Sequence, residues 1–252
     1  MKLYTRMWGD PTAEKSAVLI HGVTSNSLSW TRVGPALAEA GYYVVAPDLR
    51  GHGQSEKADG QYALNLMVDD LAESVPLEPT FLIGHSYGGV MGILAVERDV
   101  LRPAHLVLED PVLCLADQEL PARLLKNDEA TLPRDLAGTM KANPKWNRVD
   151  AEGKLNSLAA IDWDHMRQVF SENAPWDLRP SLIDIAQRMP TVLLLPESPS
   201  FYVPPDDVAT LTAELGEELI IEFPDTGHSI HRDDLDAFLS QLHGWLERQA
   251  RV

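Results

Sequence analysis

A serine framed by two glycines is the residue of this chain best placed to do chemistry. The run from Phe81 to Gly89 reads Phe-Leu-Ile-Gly-His-Ser-Tyr-Gly-Gly, so Ser86 has a glycine two positions away on either side. This Gly-x-Ser-x-Gly spacing is typical of a nucleophilic serine on a sharp turn from strand to helix, where only residues without side chains let the flanking segments approach. The helix after the turn would direct the Tyr87 amide at an oxyanion forming on a substrate.

Two other segments carry groups that a nucleophilic serine needs. Leu-Ile-His-Gly-Val, ending at Val23, closes a predicted strand with a glycine turn and can supply a second amide to the oxyanion. Near the other end of the chain, Pro-Asp-Thr-Gly-His-Ser places His228 in the loop after the last predicted strand. An imidazole titrates near neutral pH, so His228 is the natural base for Ser86.

Composition and charge limit the classes of protein to which the chain can belong. Its 252 residues are 44% hydrophobic and 23% charged, which is typical of one globular domain with a sizeable core. Lys and Arg total 21 against 38 Asp and Glu, and the net charge of −17 disfavours nucleic acid and anionic membrane surfaces as partners. The single cysteine, Cys114, allows no internal disulfide and is compatible with a reducing cytoplasm, where we expect the protein.

Short apolar runs alternate with amphipathic stretches along the chain. Unbroken apolar runs are typical of strands buried on both faces, so we expect an α/β fold with a mostly parallel central sheet of about seven or eight strands flanked by helices. The predicted strands are Lys2 to Trp8, Ala17 to Ile20, Tyr42 to Ala46, Thr80 to Ile83, His105 to Glu109, Thr191 to Leu195 and Leu219 to Phe223. The predicted helices are Leu28 to Ala40, Leu64 to Ser74, Tyr87 to Asp99, Asp206 to Leu215 and Asp234 to Arg248.

One connection is much longer than a crossover requires. About eighty residues separate Glu109 from the strand at Thr191, where a dozen or so would suffice. We therefore predict a helical insertion over 112–188 that caps a core formed by 1–111 and 189–252. Trp146, Trp163 and Trp176 lie in the insertion and either line an apolar substrate pocket or form the insertion's own small core.

With these motifs in this order, the chain resembles the α/β-hydrolase superfamily over nearly its whole length outside the insertion. The resemblance implies an α/β-hydrolase fold with a helical cap. It also implies that Ser86 is the nucleophile, that His228 is the general acid and base, and that the Val23 and Tyr87 amides form the oxyanion hole. A family member of this type needs no metal and no organic cofactor, and we expect none.

The third member of the implied triad departs from the family pattern. An aspartate is expected shortly after the strand at Thr191 to Leu195, but the chain continues Pro-Glu-Ser-Pro-Ser and has serine where aspartate is expected. Some similar hydrolases, including haloalkane dehalogenases and zearalenone-type lactonases, carry the acid after the preceding strand, typically as glutamate. We therefore expect Glu109 to be the acid, with Asp110, Glu197 and Asp206 as alternatives.

A serine nucleophile implies an acyl-enzyme that water then releases. We expect a serine hydrolase of the carboxylesterase or lactonase type, acting on an ester or lactone that is neutral and partly apolar, because the net charge disfavours anions. Hydrolysis of a carbon–carbon, amide or thioester bond and cofactor-free perhydrolysis use the same triad. A ligand receptor that keeps the fold without turnover is the alternative from another functional class.

Overall fold

The computed structural model describes residues 1–57, 60–197 and 202–249. Its main sheet has seven strands in the order β1-β3-β2-β4-β5-β8-β9, in which β1 is antiparallel to β3 and the other neighbours are parallel. The main-sheet strands are β1 (Thr5–Trp8), β2 (Lys15–Ile20), β3 (Tyr42–Pro47), β4 (Phe81–His85), β5 (Leu106–Glu109), β8 (Thr191–Pro196) and β9 (Ile220–Phe223). The remaining strands, β6 (Cys114–Leu115) and β7 (Trp176–Asp177), form a short antiparallel pair.

Helices cover both faces of the main sheet. Those outside the insertion are α1 (Val33–Glu39), α2 (Leu64–Ala72), α3 (Tyr87–Glu97), α9 (Pro205–Leu215), α10 (Ile230–Asp233) and α11 (Leu235–Gln249). Those between β5 and β8 are α4 (Glu119–Thr131), α5 (Leu136–Ala142), α6 (Arg148–Ala160), α7 (Trp163–Asn173) and α8 (Arg179–Arg188). Two 3-10 segments, Ser27–Trp30 and Glu217–Leu219, complete the described elements.

Alternate residues of the buried strands pack into different cores. In β2, Ala17 and Leu19 join the core under α1 and α11, whereas Val18 and Ile20 join the core under α2, α3, α8 and α9. Side chains of an extended strand point alternately to opposite faces, so a strand with helices on both sides must be apolar at every position. This is the physical reason for the unbroken apolar runs in the sequence.

The mostly parallel sheet and all seven predicted strands are confirmed. One predicted helix, Leu28 to Ala40, is instead a 3-10 turn at Ser27–Trp30 followed by α1. Pro35 lies in the first turn of α1, where a backbone N–H would have no partner within the helix and its absence costs nothing. In a helix that continued from Leu28, the ring of Pro35 would clash with the carbonyl four residues earlier. The proline therefore sets where the helix begins.

The small β6–β7 pair lies within the predicted insertion. Helices α4 to α7 lie between these two strands in the chain, and α8 then packs against α3 and α9 beside the main sheet. The division into core and cap at 112 and 188 stays a prediction. None of the helices described in residues 1–57, 60–197 and 202–249 combines the length and apolar character needed to cross a membrane.

Candidate active site

The turn between β4 and α3 holds Ser86 in strained backbone geometry. Its φ of 56° and ψ of −118° lie where residues with a side chain are rare. The neighbouring glycines make this turn possible, because a Cβ on Gly84 would lie 2.4 Å from the Gly88 carbonyl oxygen and one on Gly88 would lie 2.2 Å from that of Ile20. The Ser86 amide donates to the Glu109 carbonyl at 2.9 Å, which anchors the turn to β5.

A buried aspartate pairs with the histidine predicted to be the base. The Asp110 carboxylate lies 2.6 Å from Nδ1 of His228, and its side chain is 1% exposed whereas that of His228 is 35% exposed. A carboxylate accepts a proton donor, so Nδ1 of His228 carries the hydrogen and Nε2 is left as the basic nitrogen. Asp110 also has a positive φ, 42°, which turns it away from the line of β5.

The prediction that Glu109 pairs with His228 is wrong. Both Glu109 carboxylate oxygens lie 2.8 Å from Nδ1 of His231, and one also accepts from the His231 amide at 3.0 Å. Glu109 is the last residue of β5, and successive residues of a strand point to opposite sides. Only one of the adjacent acids can face His228, and the structure places Asp110 there.

Neither of the other two alternative acids contacts His228. Glu197 accepts from the Asp225 amide at 2.8 Å, and Asp206 lies in the first turn of α9 beside a cavity described below. The serine-containing segment where the family places its aspartate falls on 198–201, outside the described residues.

His85 connects the serine turn to the histidine loop. Its ring lies 4.6 Å from the ring of His228, and its Nε2 lies 2.9 Å from the His228 carbonyl oxygen. Burial lowers the pKa of His85 well below its usual value, so the ring is neutral and Nε2 carries the proton that it donates. His85 thereby holds the His228 loop beside the turn that carries Ser86.

The two predicted oxyanion amides lie at the same cavity as Ser86. Val23 and Tyr87 both line it, and among the described residues no backbone carbonyl accepts from the Val23 amide. His52 Nε2 lies 2.8 Å from the Val23 carbonyl oxygen and holds the peptide that follows the predicted donor. Burial lowers the pKa of His52, and its other ring nitrogen lies 3.0 Å from the Arg50 carbonyl oxygen, so the neutral ring can donate to only one of the two carbonyls at a time.

The buried ring of His21 also supports the loop that contains Val23. The Leu49 amide donates to Nε2 of His21 at 3.0 Å, so Nδ1 carries the hydrogen donated to the Gly22 carbonyl at 2.8 Å. Asp48 accepts from the Ser27 amide at 2.7 Å and ties down the next part of the loop.

A cavity of about 460 Å³ opens at Ser86. One wall of it is formed by leucines of α4, namely Leu120, Leu124 and Leu125. Charged and aromatic side chains also line it, namely Asp128, Arg179, Asp206, Asp207, Phe170 and Tyr202. Cavities of this size with a mixed lining bind small molecules through an apolar part and a few polar groups. Sequence reasoning missed the leucines because an aliphatic residue carries no signal that distinguishes a pocket wall from a helix core.

A second cavity, of about 630 Å³, opens on the other side of the pair at His228. Trp146 lines it and donates from Nε1 to Asp233 at 2.9 Å, so one of the three predicted substrate-binding tryptophans lies at the site. Trp163 and Trp176 line neither cavity. Trp176 instead stacks on the ring of Phe170 at 5.9 Å, and both rings belong to the core that also contains residues of the main sheet and α3.

Within the described part of the chain, no three side chains of His, Cys, Asp or Glu are grouped as ligands for a metal ion. The site consists of a strained serine, an imidazole paired with a buried carboxylate, and two residues, Val23 and Tyr87, that line the same cavity as the serine. Such a constellation is suited to acyl transfer.

Sequence comparison finds relatives over different lengths of the chain. An uncharacterised protein of Mycobacterium tuberculosis is 36% identical over 89 residues, a match covering 34% of this chain and 26% of that protein. The match thus spans about a quarter of this relative's length. The magnesium-chelatase 30 kDa subunit of Rhodobacter capsulatus is 27% identical over 254 residues, which covers 91% of this chain and 86% of the subunit.

Structure comparison and a family model agree on the fold. The enol-lactonase of Burkholderia xenovorans LB400 superimposes with a TM-score of 0.77 at 20% identity, covering 97% of this chain and 96% of the lactonase. The model of the alpha/beta hydrolase family matches residues 17–241. This match includes the serine turn, the buried aspartate and the histidine loop. The chain therefore belongs to the alpha/beta hydrolase family.

Proposed function

We propose that this protein is a serine hydrolase that cleaves a carboxylic ester or lactone through an acyl-enzyme. The observation that carries the proposal is the 2.6 Å pairing of Asp110 with His228, beside a serine on a strained turn. A serine hydroxyl is unreactive at its own pKa and needs an oriented imidazole to take its proton. The acid assigned to the triad is thus Asp110 and not Glu109.

In the first half of the proposed reaction, Ser86 Oγ attacks the substrate carbonyl carbon while its proton passes to Nε2 of His228. The carbonyl oxygen becomes an oxyanion, which accepts hydrogen bonds from the Val23 and Tyr87 amides. Asp110 stays ionised and stabilises the imidazolium through Nδ1. The tetrahedral intermediate then expels the alkoxide, which takes the proton from His228 and leaves as an alcohol.

In the second half, water attacks the acyl carbon and gives its proton to His228. A second oxyanion forms in the same amide site, and its collapse releases the carboxylic acid. The proton on His228 returns to Ser86 Oγ, so the enzyme is regenerated without any cofactor.

The leucines of α4 at the Ser86 cavity support a substrate with an aliphatic acyl portion. They offer that portion an apolar wall in a cavity large enough for a short or medium acyl chain, while Asp128, Arg179, Asp206 and Asp207 line other parts of the same cavity. The likeness to an enol-lactonase supports lactones within the same class.

The test is turnover of 4-nitrophenyl esters from acetate to octanoate, together with labelling by a fluorophosphonate. We expect kcat/KM to rise with acyl length until the cavity is filled, and we expect Ser86→Ala to lose both turnover and labelling. Labelling that persists in Ser86→Ala would contradict the assignment. Absence of labelling and turnover in the wild type would favour a ligand receptor.

A further inference from the structure

Helix α6 of the predicted cap contacts the turn that carries the predicted oxyanion donor Val23. This turn runs from Gly22 to Ser25 and is closed by the Ser25 amide, which donates to the Gly22 carbonyl oxygen at 3.0 Å. The ammonium of Lys154, on α6, donates to the Thr24 carbonyl oxygen at 2.9 Å and to Thr24 Oγ1 at 2.7 Å. A side chain of α6 therefore binds the residue directly after Val23.

Two side chains lie against successive carbonyls of this turn. His52 Nε2 lies 2.8 Å from the Val23 carbonyl oxygen, and Lys154 binds the next carbonyl, that of Thr24. Each peptide unit is planar, and only two torsion angles link it to the next. Because the peptides after the Val23 amide are held in this way, the direction of its N–H is restricted.

The part of α6 that carries Lys154 is itself fixed to the core. Asp150, one turn earlier, forms an ion pair with Arg32 at 2.9 Å, and its side chain is 1% exposed. Gly153 packs so closely that a Cβ there would lie 3.1 Å from the Leu28 carbonyl oxygen. The stem of a lysine is flexible, so Lys154 can hold a loop in place only if its own backbone is held. These contacts meet that condition.

A residue just before α6 holds the histidine loop in a similar way. Trp146 donates from Nε1 to one oxygen of Asp233 at 2.9 Å, and the other oxygen accepts from the Gly227 amide at 2.7 Å. Gly227 immediately precedes His228 in the chain. The stretch 146–154 thus contacts both loops that the proposed reaction requires to be held together.

We propose that Lys154 is a positioning residue for the oxyanion hole, which holds the turn of Val23 from the side of α6. This inference rests on the proposed function and adds one residue to its machinery. Stabilising an oxyanion requires donors that are already aimed at the place the oxygen takes in the transition state. A displacement of such a donor by about 1 Å can lower the rate by about 100-fold. Helix α6 then supports the catalytic centre directly.

The test separates transition-state stabilisation from substrate binding in Lys154→Met, which keeps an unbranched side chain and removes its ammonium. We expect kcat for 4-nitrophenyl butyrate to fall by about 10- to 100-fold, with KM within about twofold of the wild type. Lys154→Arg keeps a charged donor and should retain most of the rate. The matched control is Arg148→Met, which removes an exposed cation of the same helix, paired with Glu152, and should leave kcat unchanged.

A pair of ketones tests the oxyanion site without turnover. Butyl trifluoromethyl ketone forms a tetrahedral adduct with an active serine and places an oxyanion in the amide site, whereas butyl methyl ketone forms no stable adduct. Lys154→Met should raise the Ki of the trifluoromethyl ketone by the factor by which it lowers kcat/KM, and leave the Ki of the methyl ketone unchanged. Equal weakening of both ketones would show that Lys154 acts on substrate binding, and would overturn the proposal.

A second variant tests whether Lys154 acts through Thr24, and serves also if Lys154→Met does not fold. Thr24→Val keeps the shape of the side chain and removes Oγ1, so we expect kcat to fall by about 3- to 10-fold. The two substitutions together should cost less than the product of their separate losses, because they remove the same contact. Losses that multiply, or a kcat unchanged by either single substitution, overturn the proposal.

Failure of the proposed function is distinguishable from failure of this inference. A wild type that neither turns over esters nor reacts with a fluorophosphonate at Ser86 refutes both. A labelled and active wild type whose kcat is unchanged by Lys154→Met refutes only the role of Lys154.

Discussion

At the residue scale, the site depends on Ser86, whose positive φ is rare for a residue with a side chain. Holding a residue that has a side chain at such a φ costs about 1–3 kcal/mol, and glycine escapes most of that cost. The surrounding turn imposes the geometry on Ser86, since the amide before it is anchored to β5 and the helix after it begins at once.

Replacing Ser86 by glycine should therefore stabilise the fold more than replacing it by alanine. We expect Ser86→Gly to exceed Ser86→Ala in free energy of unfolding by about 1 kcal/mol, because only glycine relieves the strain at positive φ. Urea denaturation of the two inactive variants measures this difference. An alanine variant as stable as the glycine variant would mean that the turn is not strained.

The neighbouring acids show why the serine turn and the histidine loop were predictable and the acid that contacts His228 was not. The Gly-x-Ser-x-Gly and Gly-His motifs can be recognised from a few neighbouring residues. Glu109 and Asp110, in contrast, differ only in the side of β5 to which each side chain points. That depends on where the strand ends and on the positive φ at Asp110. The sequence does contain a usable signal. Two adjacent acids, Glu109 and Asp110, and two histidines three residues apart, His228 and His231, suggest two carboxylate–histidine pairs instead of one.

At the element scale, β2, β4 and α3 meet at glycines that allow backbone to touch backbone. A Cβ on Gly88 would overlap the Ile20 carbonyl of β2, whereas one on Gly92, one turn later in α3, would make ordinary contact with Leu82 at 3.5 Å. The same helix thus contains a glycine that the packing requires and one that it does not.

Alanine substitution should separate these two glycines. We expect Gly88→Ala to lose at least about 2 kcal/mol of unfolding free energy through overpacking. Gly92→Ala should be neutral or gain up to about 1 kcal/mol, because alanine favours a helix and the space is sufficient. Thermal unfolding of both variants provides the measurement, and equal losses would contradict the predicted contacts.

The cap is the element that sequence reasoning described least well. Its length and helical character were evident, but the side chains facing the serine were not, because Leu120, Leu124 and Leu125 recur on α4 as they would in any amphipathic helix. Tryptophans were the natural expectation for a pocket, but Trp163 and Trp176 instead pack in or against the core that also contains residues of the main sheet.

At the scale of the whole molecule, the strands, their mostly parallel arrangement and the helices on both faces follow from apolar runs and crossover lengths, whereas the strand order was not predicted. What periodicity does not show is how buried histidines support the site. Burial lowers the pKa of His21, His52 and His85, so each is neutral in the fold. Burial also raises the pKa of Glu109 and lowers that of His231, and these two effects on the pH dependence oppose each other.

Stability should fall on acidification below about pH 6.5. The unfolded chain takes up protons on these three histidines near their ordinary pKa of about 6.5, whereas the folded chain does not, so unfolding is favoured as the pH decreases. Each group contributes up to about 1.4 kcal/mol per pH unit. Urea midpoints measured from pH 7.5 to 5.5 should decrease, and midpoints that stay constant or increase would show that these rings are charged in the fold.

The measurement that tests the central claim most directly is a comparison of Asp110→Asn with Glu109→Gln. Asp110→Asn should lower kcat for 4-nitrophenyl butyrate on the order of 10³- to 10⁴-fold, because the imidazole loses the carboxylate that fixes its tautomer and balances its charge. Glu109→Gln should stay within about tenfold of the wild type and lose about 1–3 kcal/mol of stability, since it weakens only the support of His231. A Glu109→Gln variant that loses kcat on the order of 10³-fold or more, with Asp110→Asn close to wild type, would contradict the triad of Ser86, His228 and Asp110.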